Sequence, residues 1–450
     1  METIYDLIIV GSGPSGIFCA YEFSKVNPEK KILLIDKGAD IYERANAPFK
    51  KRSITTGFGG SGAFSDGKFN ITSEFGGWLT EYLSVEQTLE LIKYVDAINL
   101  AHGATKEITD PNTSKVHEIE KKAIGYGLKL LKAQVRHLGT EENLKILINI
   151  YEDLKPKITM LFHTEVADIM VKDQHIEGIC LKNGQKYLAK NVYLSVGREG
   201  AAWLNETLLK HQIEFTNNQV DIGVRVETNN IIMDDINENL YEGKFIFKTS
   251  VGTMVRTFCS NPSGHVVIED YDQLKLVNGH SFNSKKLGSL NTNFALLVSH
   301  RFEHPYSNPN GYGATIGKIA NELSLGGVLV QRYGDLKKGQ RTTPKRLKEG
   351  FVQPTLNEAV PGDLGLVLPY NTMKSIIEMI EALDHITPGI ASEHTLLYGV
   401  ETKFYSARPS VDEHCQTQIK GLYVGGDGAG LTRGLAQAAA NGVHVARSIR

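Results

Sequence analysis

Apolar and polar positions follow a pattern that marks the elements of the chain. Leu7 to Val10 and Ile32 to Ile35 are short unbroken apolar runs, as expected of parallel strands buried on both faces. The stretch between them, Ser15 to Val26, reads as a helix. Residues 84–104 and 115–155 repeat apolar side chains at helical spacing with few breakers, which predicts three helices. From Ala167 to Leu194 the spacing becomes strand-like, with turns at Lys172-Asp173 and Asn183-Gly184, the pattern of a β-meander. Its last apolar strand ends in Ser195-Val196-Gly197. Residues 206–394 mix strands such as VDIGVRVE and GHVVIED with helices at 313–324 and 371–384. NPNGYGATIG (308–317) follows no strand and reads as a loop. A strand at Leu422 to Val424, a glycine turn carrying Asp427 and a helix from about Gly434 close the pattern.

These elements predict an α/β fold. A Rossmann-like domain, a parallel sheet plus the meander, draws on residues 1–80, 130–205 and 395–450. A helical insertion covers 81–129, and a discontinuous α+β substrate or cap domain covers 206–394.

Composition narrows the class of partner. In 450 residues, 49 Lys and Arg nearly balance 51 Asp and Glu, so the charge gives no case for nucleic acid as a partner and a small-molecule substrate is expected. No apolar run approaches the roughly 18 residues of a membrane span. No export signal is visible, and Cys19, Cys180, Cys259 and Cys415 are too scattered for a disulfide framework or a metal site, so the expected compartment is the reducing cytoplasm. The sequence sets no oligomeric state.

The turn GSGPSG places Gly11, Gly13, Pro14, Ser15 and Gly16 between the first strand and the first helix. The first glycine permits the turn, the second lets the backbone approach a pyrophosphate, and the third lets the helix pack closely. Asp36, followed by Lys37, ends the second strand where a carboxylate can accept from a ribose hydroxyl. NAD and FAD both present an adenosine diphosphate to such a turn, so the choice rests on GGDGAG near residue 427. In a flavin site a carboxylate there, Asp427 beside Gly426, holds the ribityl chain. The helix beginning at Gly434 and Leu435 then points its positive end at the flavin's pyrimidine edge.

The N-terminal glycine turn, the SVG crossing at 195–197 and the GGDGAG turn together resemble the glutathione-reductase-like FAD superfamily. GFGGSGAFSDGKFN (57–70), RHLGTEENL (136–144), DIGVRVE (221–227), RTFCSNPSGHVV (256–267), NGHS (278–281) and NFALLV (293–298) resemble more narrowly a prokaryotic family of predicted FAD-dependent dehydrogenases. The resemblance implies FAD and no particular substrate. It implies that the segment after the second strand runs along the flavin, bringing Gly59, Gly60, Ser61, Ser65, Asp66, Gly67 and Lys68 to the cofactor. Val166, Ser195, Gly197 and Arg433 join that set, with Lys68 or Arg433 stabilising reduced, anionic flavin.

For catalysis the candidates are Arg256 and Arg408, and to a lesser degree Arg225, whose guanidinium forks suit a carboxylate substrate. His265 and His280 are candidate proton carriers and Cys259 a candidate thiol near the flavin. No cluster has metal-ligand spacing and no GxSxG nucleophile turn is present. The reading is an FAD-dependent dehydrogenase or reductase that passes a hydride between a small organic substrate and the flavin. NAD(P)H, if used, would visit as a transient donor. A tRNA-modifying flavoprotein and a regulatory protein with structural FAD are the alternatives.

Overall fold

The computed structural model describes residues 3–48, 53–65, 67–240, 243–271, 273–281 and 287–449. The chain divides into two compact units, one of residues 1–109, 133–218 and 406–450, the other of 110–132 and 219–405. The fold is mixed α/β with parallel and antiparallel sheets.

In the first unit, five parallel strands lie in the order Leu422–Val424, Val192–Leu194, Leu7–Val10, Ile32–Ile35, Thr159–Leu161. The inner strands are buried on both faces, which is why their sequences are unbroken apolar runs. Pro14 sits in the first turn of the helix Pro14–Val26, where its missing N–H costs nothing. That helix packs tightly against the last one, Leu435–Ser448: a Cβ on Gly442 would lie 2.0 Å from the Ser15 carbonyl oxygen. A second sheet is the meander Val166–Lys172, His175–Leu181, Lys186–Ala189, joined in parallel by Ile4–Tyr5.

One reading from the sequence is refined and one is corrected. The three helices expected over 84–104 and 115–155 form, as Val85–Ala101, Ser114–Gly125 and Thr140–Leu154, but 115–155 also holds two strands that the helical spacing does not show. The helix Ser114–Gly125 ends, Gly127 turns with φ +74°, and strands Leu128–Leu131 and Gln134–His137 precede the helix Thr140–Leu154. LKLL satisfies either period over so short a span, and pairing with the strand Lys244–Lys248 decides for strand. NPNGYGATIG is not a loop: the helix Pro309–Leu323 begins there, with the Asn308 side chain accepting from the Gly311 amide.

The second unit holds an eight-stranded sheet in the order Val360–Pro361, Leu329–Arg332, Leu396–Lys403, Val220–Asn229, Asn291–His300, Met254–Asn261, Lys244–Lys248, Leu128–Leu131. Along the strand Val220–Asn229, Val220, Ile222, Val224 and Val226 join a core with the helix Tyr370–Asp384. By the period of two, Asp221, Arg225 and Glu227 turn to the other face, yet all three are fully buried. The hairpin of His265–Tyr271 and Leu274–His280 belongs to this unit.

Candidate functional site

The glycine turn of the first unit is closed at both ends and open in the middle. Gly11 has φ +101°, and a Cβ on it would sit 2.7 Å from the Ser195 carbonyl oxygen. A Cβ on Gly16 would lie 1.9 Å from the Gly11 carbonyl, whereas one on Gly13 would meet nothing within 4 Å. Gly13 begins the helix without a side-chain cap, leaving first-turn amides that lack intrahelical acceptors. Gly197, at the end of its strand, likewise has open space before it. At the carboxyl ends of these strands lies a pocket of roughly 620 Å³ including its mouth, lined among others by Gly11, Asp36, Lys37, Val166, Gly197 and Trp203. An open space before uncapped helix amides, beside such a pocket, fits an adenosine diphosphate.

Several predicted residues turn out to shape this turn. Ser195 spends its hydroxyl on the Gly11 and Val10 carbonyls, at 2.9 and 3.2 Å. Asp36 accepts from the Ser12 amide and hydroxyl and from the Gly38 and Gly57 amides. Ser15 points inward: its hydroxyl lies 2.6 Å from that of Tyr193, which donates to Asn441 Oδ1, and the same oxygen accepts from the Gly426 amide at 2.9 Å. One buried cluster therefore fixes both glycine turns. Tyr193 and Asn441 were not singled out from the sequence, although an Asn inside the apolar run AQAAANGV is the kind of signal that marks a buried polar contact.

The segment 57–68 lies against the turn. The Gly59 amide donates to the Ser12 carbonyl, and a Cβ on Gly60 would come within 3.2 Å of the Gly13 Cα. Ser65 donates to the Gly62 carbonyl and accepts from the Gly67 amide, Ser61 is exposed, and Lys68 is half-buried in the strand Lys68–Ile71. Asp66 lies outside the described residues. Buried Arg44, another residue the sequence did not point to, donates to the Ser53, Ile54, Gly57, Phe58 and Gly60 carbonyls and so fixes this segment.

At the other turn, Asp427 accepts from the Thr432 hydroxyl at 2.6 Å. Burial pushes its carboxyl above the usual range, against the opposing pull of that hydrogen bond and of Arg433 and Arg198. The Arg433 and Gly434 amides donate to the Gly76 carbonyl, and the helix starting at Leu435 has no side-chain cap.

The remaining candidates divide between the units. In the second, Arg225 is fully buried, donating to Asn293 Oδ1 at 2.9 Å and the Cys259 carbonyl at 2.7 Å while pairing with Glu401 at 3.2 Å. Arg256 pairs with Asp221 at 2.5 Å and donates to the Tyr405 hydroxyl at 2.8 Å, with 27% of its side chain exposed. Cys259 has φ +48° and contributes its carbonyl to Arg225. His265 and His280 are register partners in the hairpin, and His265 Nε2 donates to the Leu287 carbonyl. Arg408 belongs to the first unit, beside Glu81, Trp78 and Tyr82.

Residues 219–404 match the family described as FAD-dependent protein, C-terminal domain-like. The cofactor is FAD. An uncharacterized protein of Clostridium beijerinckii is 25% identical over 473 residues, covering 98% of this chain and 80% of its own. Among solved structures, an Aspergillus oryzae formate oxidase variant is similar at 13% identity and a TM-score of 0.44, covering 100% of this chain and 98% of that one. Glycine oxidase from Geobacillus kaustophilus follows at 14% and 0.39, covering 99% and 94%. L-proline dehydrogenase from P. horikoshii is similar at 11% and 0.38, covering 99% and 93%. At these TM-scores the likenesses assign no residue a role. No helix among the described residues is long and apolar enough to cross a membrane.

Proposed function

We propose that the protein is an FAD-dependent oxidoreductase acting on a small organic substrate. The observation that supports it best is the glycine turn in which Gly11 and Gly16 admit no Cβ while the space before Gly13 stands open. Bound FAD supplies hydride-transfer chemistry, and the residues of this chain position and polarise it. The first-turn amides after Gly13 receive the pyrophosphate. Asp36, Lys37 and Val166 wall the adenosine side of the pocket. Asp427 holds the ribityl chain, and the uncapped start of the helix at Leu435, with Arg433, puts positive potential where negative charge gathers on reduction.

We assign NAD(P)H, where used, to transient donation. The test is an anaerobic screen of metabolites against the purified yellow protein. A substrate bleaches the flavin absorbance or reoxidises the reduced form. A protein that purifies and reconstitutes without flavin would refute the reading.

A further inference from the structure

Arg408 opens the two-residue strand Arg408–Pro409 of the first unit. Its guanidinium carbon lies 5.5 Å from the centre of the Trp78 ring and 5.9 Å from that of Tyr82. Its Nε and Nη2 atoms are buried without an aligned hydrogen-bond acceptor. Those two atoms form the side-on edge of the fork, the parallel donor pair that a carboxylate takes in bidentate fashion. Glu81 Oε2 stands 2.9 Å from Nη2, near enough to balance charge but poorly aligned.

We infer that Arg408, flanked by Trp78 and Tyr82, receives the carboxylate of the substrate, and that Glu81 is the group this carboxylate displaces. Three observations carry the inference. A buried donor pair whose acceptors are poorly aligned is unfavourable, so the edge is suited to a ligand that satisfies both atoms at once. Glu81 ends the short turn Leu79–Glu81 with 46% of its side chain exposed, so on release its carboxylate regains water in place of the arginine. Two aromatic neighbours hold the cation in place while its partner changes. Burial keeps the Tyr82 phenol above its ordinary value against the opposing charge of Arg408, so Tyr82 remains a neutral neighbour at physiological pH.

The location ties the cage to the turn assigned to the flavin, and the inference rests on that assignment for its functional meaning. Gly77 bridges to Thr432, the Trp78 amide donates to the Leu431 carbonyl at 2.9 Å, and Thr432 donates to Asp427. A Cβ on Gly430 would lie 3.0 Å from Arg408 Cγ, so the arginine stem runs directly along the glycine turn.

Calorimetric titration of the purified full chain with sodium benzoate and sodium acetate, with benzyl alcohol as the neutral control, tests the exchange. Flavin content is measured on the same samples. At least one carboxylate is expected to bind the wild type and to weaken as salt is raised, while benzyl alcohol does not bind. Glu81→Gln, which removes the competing charge, should tighten that carboxylate several-fold. Arg408→Gln should weaken it tenfold or more, with folding checked by thermal melting. Should Arg408→Gln fail to fold, Glu81→Gln alone decides. Failure of both carboxylates to bind wild type and Glu81→Gln, unchanged or weaker binding in Glu81→Gln, or full affinity in folded Arg408→Gln would overturn the inference. Flavin-loaded protein indifferent to these substitutions refutes the carboxylate point alone; carboxylate binding by protein that cannot take up flavin refutes the cofactor reading alone.

Discussion

Asp36 holds Ser12 twice through one oxygen, Oδ2, which lies 2.8 Å from the amide and 2.7 Å from the hydroxyl. Its Oδ1 takes the Gly38 and Gly57 amides at 2.8 and 2.9 Å. A carboxylate offers about four acceptor positions, and all four are filled from within the protein. The residue thus welds the glycine turn to the segment after the second strand. Asp36→Asn turns an acceptor into a donor facing N–H groups. It should lower apoprotein stability by about 1.5–3 kcal/mol and reduce flavin content with it, as read by thermal melting and absorbance. A variant that melts like wild type but binds FAD weakly would place the main role of Asp36 on the ribose instead.

Gly13 and Gly16 should part company under mutation. Gly13 has φ −73° and ψ −178°, a conformation any residue adopts, with open space ahead of it. Gly13→Val should give a folded, colourless protein with an unchanged apoprotein melting temperature. Gly16→Ala drives a methyl to 1.9 Å from the Gly11 carbonyl oxygen and should cost about 3 kcal/mol or more. Comparing apoprotein melting with flavin retention for the pair separates binding space from folding space.

Asp427 sets cofactor binding against stability. Because desolvation raises its carboxyl above the ordinary value, folding works against the ionised form relative to the unfolded chain. Asp427→Asn should therefore raise the apoprotein melting temperature modestly while lowering FAD retention. An apoprotein destabilised by this change would show that the Thr432 contact outweighs the cost of burying the charge.

Asp221 predicts an acid limb of stability. Burial alone would raise its carboxyl, but the Arg256 charge and the hydrogen bonds from Tyr405, Ser299 and Arg256 hold it below 3.8. A depressed acid contributes stability above its unfolded value, and that contribution fades as pH falls through 3.8 and below. Melting temperatures taken from about pH 6 down to pH 3 should fall more steeply in wild type than in Asp221→Asn. Parallel slopes would remove Asp221 as the source.

The glycine turn and the meander were legible because each is specified within a few dozen residues by period and turn chemistry. The blocks that carry the family resemblance are informative too, though about packing. DIGVRVE supplies Arg225, RTFCSNPSG the Cys259 carbonyl and NFALLV Asn293, and NGHS supplies Gly279, where any Cβ would lie 1.9 Å from Arg225 Nη2. A fully buried arginine demands fixed partners, and that demand is visible as sequence. Arg408 and Glu81 were not legible as a pair, because 81 and 408 meet only through the fold. Arg44 carried no signal either: its partners are backbone carbonyls, which any side chains could surround.

Ser15, Tyr193 and Asn441 touch one another although 178 and 248 positions separate Tyr193 from its two partners. A ribosome therefore delivers the anchors of the N-terminal turn in three instalments, the last only after every residue of the second unit has been made. Until residues 422–441 emerge, Ser15 and Tyr193 lack their acceptor and the strand Val192–Leu194 lacks its neighbour Leu422–Val424. A nascent chain stalled before that point can close the second unit while its glycine turn still lacks that support. The N-terminal glycine turn thus reaches its full set of buried anchors only once the last helix has been made.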